Sequence, residues 1–189
     1  KMSNNIIRGY FNLDTPQWED LRFPAASINP TGVTGAAGRD ADFGWLTFAY
    51  NTTQVAAVQI QLPHSWKEGS TLRPHVHWMK TTSASGGVYW QLEYRWVGIG
   101  DVMAGSWTAI GSSTPATSDS DTQYKHAITE LGSITAVGKT VSDMLVAKLS
   151  RVHDNAADTY GAAVALLEFD IHYHVDSFGS NYEYYKYRP

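Results

Sequence analysis

Val88-Tyr89-Trp90-Gln91-Leu92-Glu93-Tyr94-Arg95-Trp96-Val97 alternates without a break, placing Val88, Trp90, Leu92, Tyr94 and Trp96 on one side and Tyr89, Gln91, Glu93, Arg95 and Val97 on the other. A period of two over this length is the signature of a strand with one face on a core. Each large apolar side chain gains about 1.5–3 kcal/mol on burial, so a slip of one residue would expose the whole set. Outward from this strand the same pattern recurs. Leu46, Phe48 and Tyr50 oppose Trp45, Thr47 and Ala49, and after Asn51-Thr52-Thr53, which reads as a hairpin turn, Ala56, Val58, Ile60 and Leu62 share a face. Residues 143–152 suit a helical turn or a strand by periodicity, and their context favours a strand. Gly161 to Val175 reads as a strand pair or one bent strand. About eight strands separated by turns predict an all-β, antiparallel sandwich of the jelly-roll kind.

The first 42 residues differ. Thr15-Pro16, Phe23-Pro24, Asn29-Pro30 and the Gly-rich stretch 32–38 interrupt any long element, while Tyr10, Phe11, Trp18 and Phe23 call for a docking surface. The expected organisation is an extended arm over 1–42, lying along its own domain or a neighbour's, and a sandwich domain over 43–189. Lys1 ahead of Met2 reads as a vector scar or a cut from a longer polypeptide.

Composition narrows the function. The 189 residues carry a net charge of −4 and no Lys/Arg cluster, which argues against nucleic-acid binding. No apolar run approaches the roughly 18 residues that would span a bilayer, so no membrane insertion is expected. The absence of cysteine excludes disulfides and thiolate chemistry. Charged residues make up only 17%, against roughly 25% in an average domain, and aromatics 13%. One sandwich core does not readily absorb so many aromatic side chains. Some of them, Tyr182, Tyr184, Tyr185 and Tyr187 in particular, are expected between subunits, where aromatics are enriched.

The residues with chemistry to offer are histidines. His75-Val76-His77 and His172-Tyr173-His174 stand at i, i+2 spacing, which on a strand sends both rings of a pair to one face. Phe169, Ile171, Tyr173 and Val175 form the apolar side of the second strand, and Asp170, His172, His174 and Asp176 the polar side. Were the two strands neighbours, four imidazoles and two carboxylates would share a patch with the nitrogen and oxygen donors that Zn, Fe, Mn or Ni prefer. The reading favoured by sequence is plainer: a solvated or subunit-facing sheet face, with the histidines hydrogen-bonded to Tyr and Asp neighbours and no metal or other cofactor.

The His-x-His pair invites comparison with cupin metalloenzymes, which add a nearby Glu and a later His. Residues 78–82 are Trp-Met-Lys-Thr-Thr and the next Glu is Glu93, so this alternative lacks its carboxylate. No Gly-x-Ser-x-Gly occurs, Gly98-Ile99-Gly100-Asp101 is turn material, and Asp119 and Asp121 fall in a polar loop, so no enzyme is expected. Trp66 and Trp107, in loops, are candidates to stack on sugar rings in a glycan-binding module, with a core or interface role the stronger expectation.

Three stretches carry a family likeness: Leu62-Pro63-His64-Ser65-Trp66-Lys67-Glu68-Gly69-Ser70, Leu72-Arg73-Pro74-His75-Val76-His77-Trp78, and Asp170-Ile171-His172-Tyr173-His174-Val175-Asp176 with the following Gly179-Ser180-Asn181-Tyr182-Glu183-Tyr184-Tyr185-Lys186. They resemble tailed-bacteriophage virion proteins of the head-fibre, decoration or tail-appendage type, over most of residues 43–186. The resemblance implies a jelly-roll domain, commonly trimeric, on the outer surface of a virus particle. Its partners would be copies of itself, other virion proteins and a host-surface glycan.

Overall fold

Eleven strands, with one short 3-10 turn at Ala25–Ser27, make two antiparallel sheets in the computed structural model, which describes residues 17–31, 35–112 and 122–187. The first sheet runs β3 (Gly38–Arg39), β4 (Leu46–Phe48), β11 (Val164–Val175), β6 (Arg73–Lys80), β9 (His126–Glu130), and β1 (Gln17–Pro24) also pairs with β11. The second runs β2 (Asn29–Pro30), β5 (Gln54–Gln61), β10 (Met144–Arg151), β7 (Trp90–Val97), β8 (Thr108–Gly111). From β4 to β11 the chain changes sheet at every connection except β7 to β8. That is the order of an eight-strand jelly roll.

The core lies between the sheets. Trp90, Leu92 and Tyr94 on β7 are buried as the alternation requires, and Trp96 is half-buried against the core, its Nε1 donating to the Thr135 carbonyl at 3.2 Å. Ala56, Val58 and Ile60 face the same layer from β5, and Leu62 just past its end does so too. The ring of Trp90 meets Phe48 edge-on with centroids 5.1 Å apart and Trp78 at 6.2 Å. Residues 144–151 are a strand, as context predicted. The fully enclosed Arg151 clamps Asp158 at 2.9 and 2.7 Å and donates to the Ala162 and Tyr160 carbonyls.

Two expectations change. Asn51-Thr52-Thr53 is not a hairpin turn, because β4 and β5 lie in different sheets and the segment crosses the sandwich. Tyr50 lies past the end of β4 and is exposed, although Leu46 and Phe48 are buried. Within the segment read as an arm, residues 17–24 form β1, paired residue for residue with β11 from Gln17 opposite Val175 to Pro24 opposite Glu168. Pro24 is tolerated because it ends the strand. Tyr10, Phe11, Asp119 and Asp121 lie outside the described residues.

Strand β11 is one bent strand. It pairs with β6 on one edge and with β4 and then β1 on the other, with the register shifting between Leu166 and Glu168. Val164 and Leu166 are buried before the shift and Phe169, Ile171 and Tyr173 after it. The extra residue at the bulge exchanges the faces. It thereby sets Glu168, Asp170, His172 and His174 on the outer side.

Candidate functional site on the outer sheet face

The alternation that buries Val76 and Trp78 sends Arg73, His75 and His77 out of the sandwich. On β11, Asp170 stands opposite His75, Glu168 opposite His77 and His172 opposite Arg73. Strand β1 adds Trp18, Asp20 and Arg22 opposite His174, His172 and Asp170, and β9 adds Glu130 opposite His75. These rows line a groove of about 840 Å³. Directly opposed side chains start with Cβ atoms only ~5 Å apart, so the groups interact by construction.

Asp170 is the hub. Although it is on the outer face, it is only 3% exposed, and His75 only 5%. His75 Nε2 lies 2.6 Å from Asp170 Oδ1, and His77 Nε2 lies 3.2 Å from Oδ2. The three donor atoms lie within 4.8 Å of one another. His77 is oriented from behind: its Nδ1 is 2.8 Å from His126 Nε2 and the two rings stack at 14°. Arg22 gives its hydrogen bonds to Glu168, with its guanidinium forked at 2.7 and 2.8 Å, and acts on Asp170 only through space. Burial pushes the His75 imidazole down, but the adjacent Asp170 carboxylate outweighs it and raises the pKa above the usual histidine value. Burial holds His77 below that value, against the pull of Asp170 and with His75 and His126 adding to the depression. One carboxylate thus sits between two rings with opposite proton affinities.

The expected quartet of imidazoles is only partly assembled. His172 is near His75, with ring centroids 4.3 Å apart, but its Nε2 faces Asp20 at 2.9 Å. His174 turns to Trp18, with ring centroids at 3.8 Å, and its Nε2 is buried without a hydrogen-bond partner. Burial, Lys67 and Arg73 lower its pKa. Asp176 leaves the patch entirely, binding Lys186 and accepting from the Tyr187 hydroxyl at 2.9 Å. The carboxylate missing after His77 in the chain is supplied across the sheet by Asp170. His126 and Asp20 escaped the sequence reading. His126 has no i+2 histidine to flag it, and Asp20 lies in a segment with no strand pattern of its own.

The loop tryptophans do not offer stacking faces. Trp66 is fully buried, its Nε1 donating to Ser70 Oγ at 2.9 Å, which corrects its candidacy for sugar binding. Trp107 is covered by two cations, Lys148 Nζ at 4.0 Å and the Arg95 guanidinium at 4.6 Å from the ring centroid. Exposed aromatic surface lies elsewhere: Trp18, 44% exposed beside Arg73, and Phe43, Trp45 and Tyr124, stacked at 4.7 and 6.4 Å. Tyr182, Tyr184, Tyr185 and Tyr187 are all exposed, whereas Lys186 among them is buried, donating to the Ser65 and Trp66 carbonyls and to Asp176.

No protein-family model matches this chain, and no curated protein matches it in sequence. Among solved structures, it is similar to a CBM35 from Cellvibrio japonicus Abf62 at 11% identity and a TM-score of 0.41, covering 84% of this chain and 99% of that one. A TmCBM61 in complex with beta-1,4-galactotriose matches at 10% identity and a TM-score of 0.35, covering 82% and 86%. The insecticidal delta-endotoxin Cry8Ea1 from Bacillus thuringiensis matches at 12% identity and a TM-score of 0.39, covering 82% of this chain and 24% of that one. The jelly-roll assignment rests on the strand order, not on these distant likenesses.

Proposed function

We propose that the chain is a non-catalytic jelly-roll module of a bacteriophage particle, displayed on its outer surface as an oligomeric decoration, head-fibre or tail-appendage domain. The observation that supports this most is the C-terminal segment. Lys186 is drawn into the domain by two carbonyls and Asp176, while Tyr182, Tyr184, Tyr185 and Tyr187 point to solvent around it. An aromatic surface held in place by a buried ion pair has the composition of a subunit interface. The resemblance of the His75, Trp66 and Asp170 stretches to phage virion proteins supports the particle and the trimer.

Light scattering at micromolar concentration is expected to give three times the 20.9 kDa chain mass. The double variant Tyr184→Ser, Tyr185→Ser keeps Lys186 and should shift that assembly toward monomer. A stable monomer for the unaltered chain would overturn the assembly reading, and failure of an antibody to label intact particles would overturn the location. A glycan-binding role is the second reading, favoured by Trp18, which stays 44% exposed with the Arg73 guanidinium 5.1 Å over its ring, and an array of glycans that retains the chain but not Trp18→Ala would support it.

A further inference from the structure

We infer that His75, His77 and Asp170 form a binding site for a first-row divalent transition metal on the outer face of the first sheet. The inference goes beyond the assembly role and does not depend on it. Two imidazoles at i, i+2 on β6 and a carboxylate directly opposite on β11 make a set of two nitrogens and one oxygen on one side of a common centre. This is the donor set of a three-ligand site, which leaves at least one further position for water or a ligand in the groove.

The state of Asp170 is the independent observation. A carboxylate 3% exposed normally recruits a guanidinium, an ammonium or several N–H donors, because an unpartnered buried charge is costly. Its register partner Arg22 is committed to Glu168. His75 Nε2 forms a 2.6 Å ion pair with Oδ1, which is fully buried and has no second partner among the described residues. Two ring nitrogens that converge on the two oxygens of one buried carboxylate are arranged as ligands around a shared cation are. Ligands at 2.0–2.1 Å from a tetrahedral ion lie about 3.4 Å apart, so the 3.2 Å pair already fits. The 2.6 Å pair needs to open by less than about 1 Å.

The surroundings match a metal site as well. Ligating histidines are held by hydrogen bonds at their second nitrogen. His77 Nδ1 has His126 Nε2 at 2.8 Å, and the backbone of Arg73 hydrogen-bonds the His75 ring. The donor set selects Zn²⁺, Co²⁺, Ni²⁺ or Fe²⁺ over Mg²⁺ and Ca²⁺, which prefer oxygen.

The test uses the full chain, purified without a metal-affinity tag and stripped with chelator, titrated with Zn²⁺ and Co²⁺ by calorimetry and visible absorption. The expected result is one ion per chain with Kd at or below roughly 10 µM. Imidazole ¹⁵N resonances of His75 and His77 should move on Zn²⁺ addition while that of His153 does not. Asp170→Asn, nearly isosteric, should abolish stoichiometric uptake, His126→Gln should weaken it about 10- to 100-fold, and His174→Gln should leave it unchanged. No stoichiometric uptake by the unaltered chain overturns the inference, and so does uptake that survives both Asp170→Asn and His77→Gln or leaves the two resonances in place. The resonance measurement needs no variant, so a poorly folded substitution cannot obscure the answer. Light scattering on the stripped protein tests assembly separately.

Discussion

Both faces of the β6–β11 pair carry buried side chains, for opposite reasons. On the inner face Val76, Trp78, Phe169 and Ile171 are hidden because removing apolar area from water is favourable, and every neighbour they meet rewards the same choice. On the outer face His75 and Asp170 are hidden as deeply, yet burial of such groups costs free energy unless each polar atom is partnered. One face explains itself. The other demands something that the chain does not wholly supply, and this makes it the place to look for a ligand.

Substitution should separate the faces sharply. Trp78→Ala, which empties a fully buried ring site and strands Thr129 Oγ1, is expected to cost about 3–5 kcal/mol in urea unfolding. His75→Ala, on the same strand, should cost less, about 1–3 kcal/mol in chelator-treated protein, because it removes one partner of Asp170 while His77 stays bonded to it. Equal losses would mean that the outer face is a second core.

Buried carboxylates offer a finer comparison. Asp158 partners a fully buried guanidinium, so Asp158→Asn leaves Arg151 with an uncompensated charge and should destabilise by about 3–5 kcal/mol. Asp170→Asn removes a charge that has no such fork and is expected to cost clearly less in metal-free protein, again by urea unfolding. A larger loss at Asp170 than at Asp158 would show that the histidines already satisfy it.

The smallest effect concerns Tyr173, on the inner side of β11, whose hydroxyl donates to Glu19 at 2.7 Å. Burial first, and Glu19 with it, push its pKa up to about 12. The folded state therefore holds the phenol proton more tightly than the unfolded chain, where the pKa is about 10. The contribution is complete below about pH 10 and fades as pH rises toward 12. Between about pH 9 and about pH 11 the unaltered chain should lose more stability than Tyr173→Phe. Parallel loss in both would place the alkaline sensitivity elsewhere.

The alternation from Val88 to Val97 sufficed to assign a core-facing strand, and the His-x-His pairs told which rings would share a face, because side-chain direction along a strand follows from backbone geometry alone. Residues 144–151 were legible only by context. The Asn51-Thr52-Thr53 link was misread because a turn sequence reports a change of direction and not the sheet that receives the next strand. The fate of Trp66 was equally hidden: a loop position says nothing of what folds over it.

What the sequence alone determined is local: all-β character, the faces of individual strands, the lack of thiol chemistry and the candidate histidines. Tertiary structure alone decided which strands are neighbours. It brought Asp170 to His75 across 95 residues of chain, set His126 behind His77, drew β1 onto β11 with Asp20 and Trp18, and sent Asp176 away to Lys186. The physical reason is that period-two patterning fixes where a side chain points, whereas pairing partners are chosen by the simultaneous closure of two sheets over one core, a cooperative property of the whole chain.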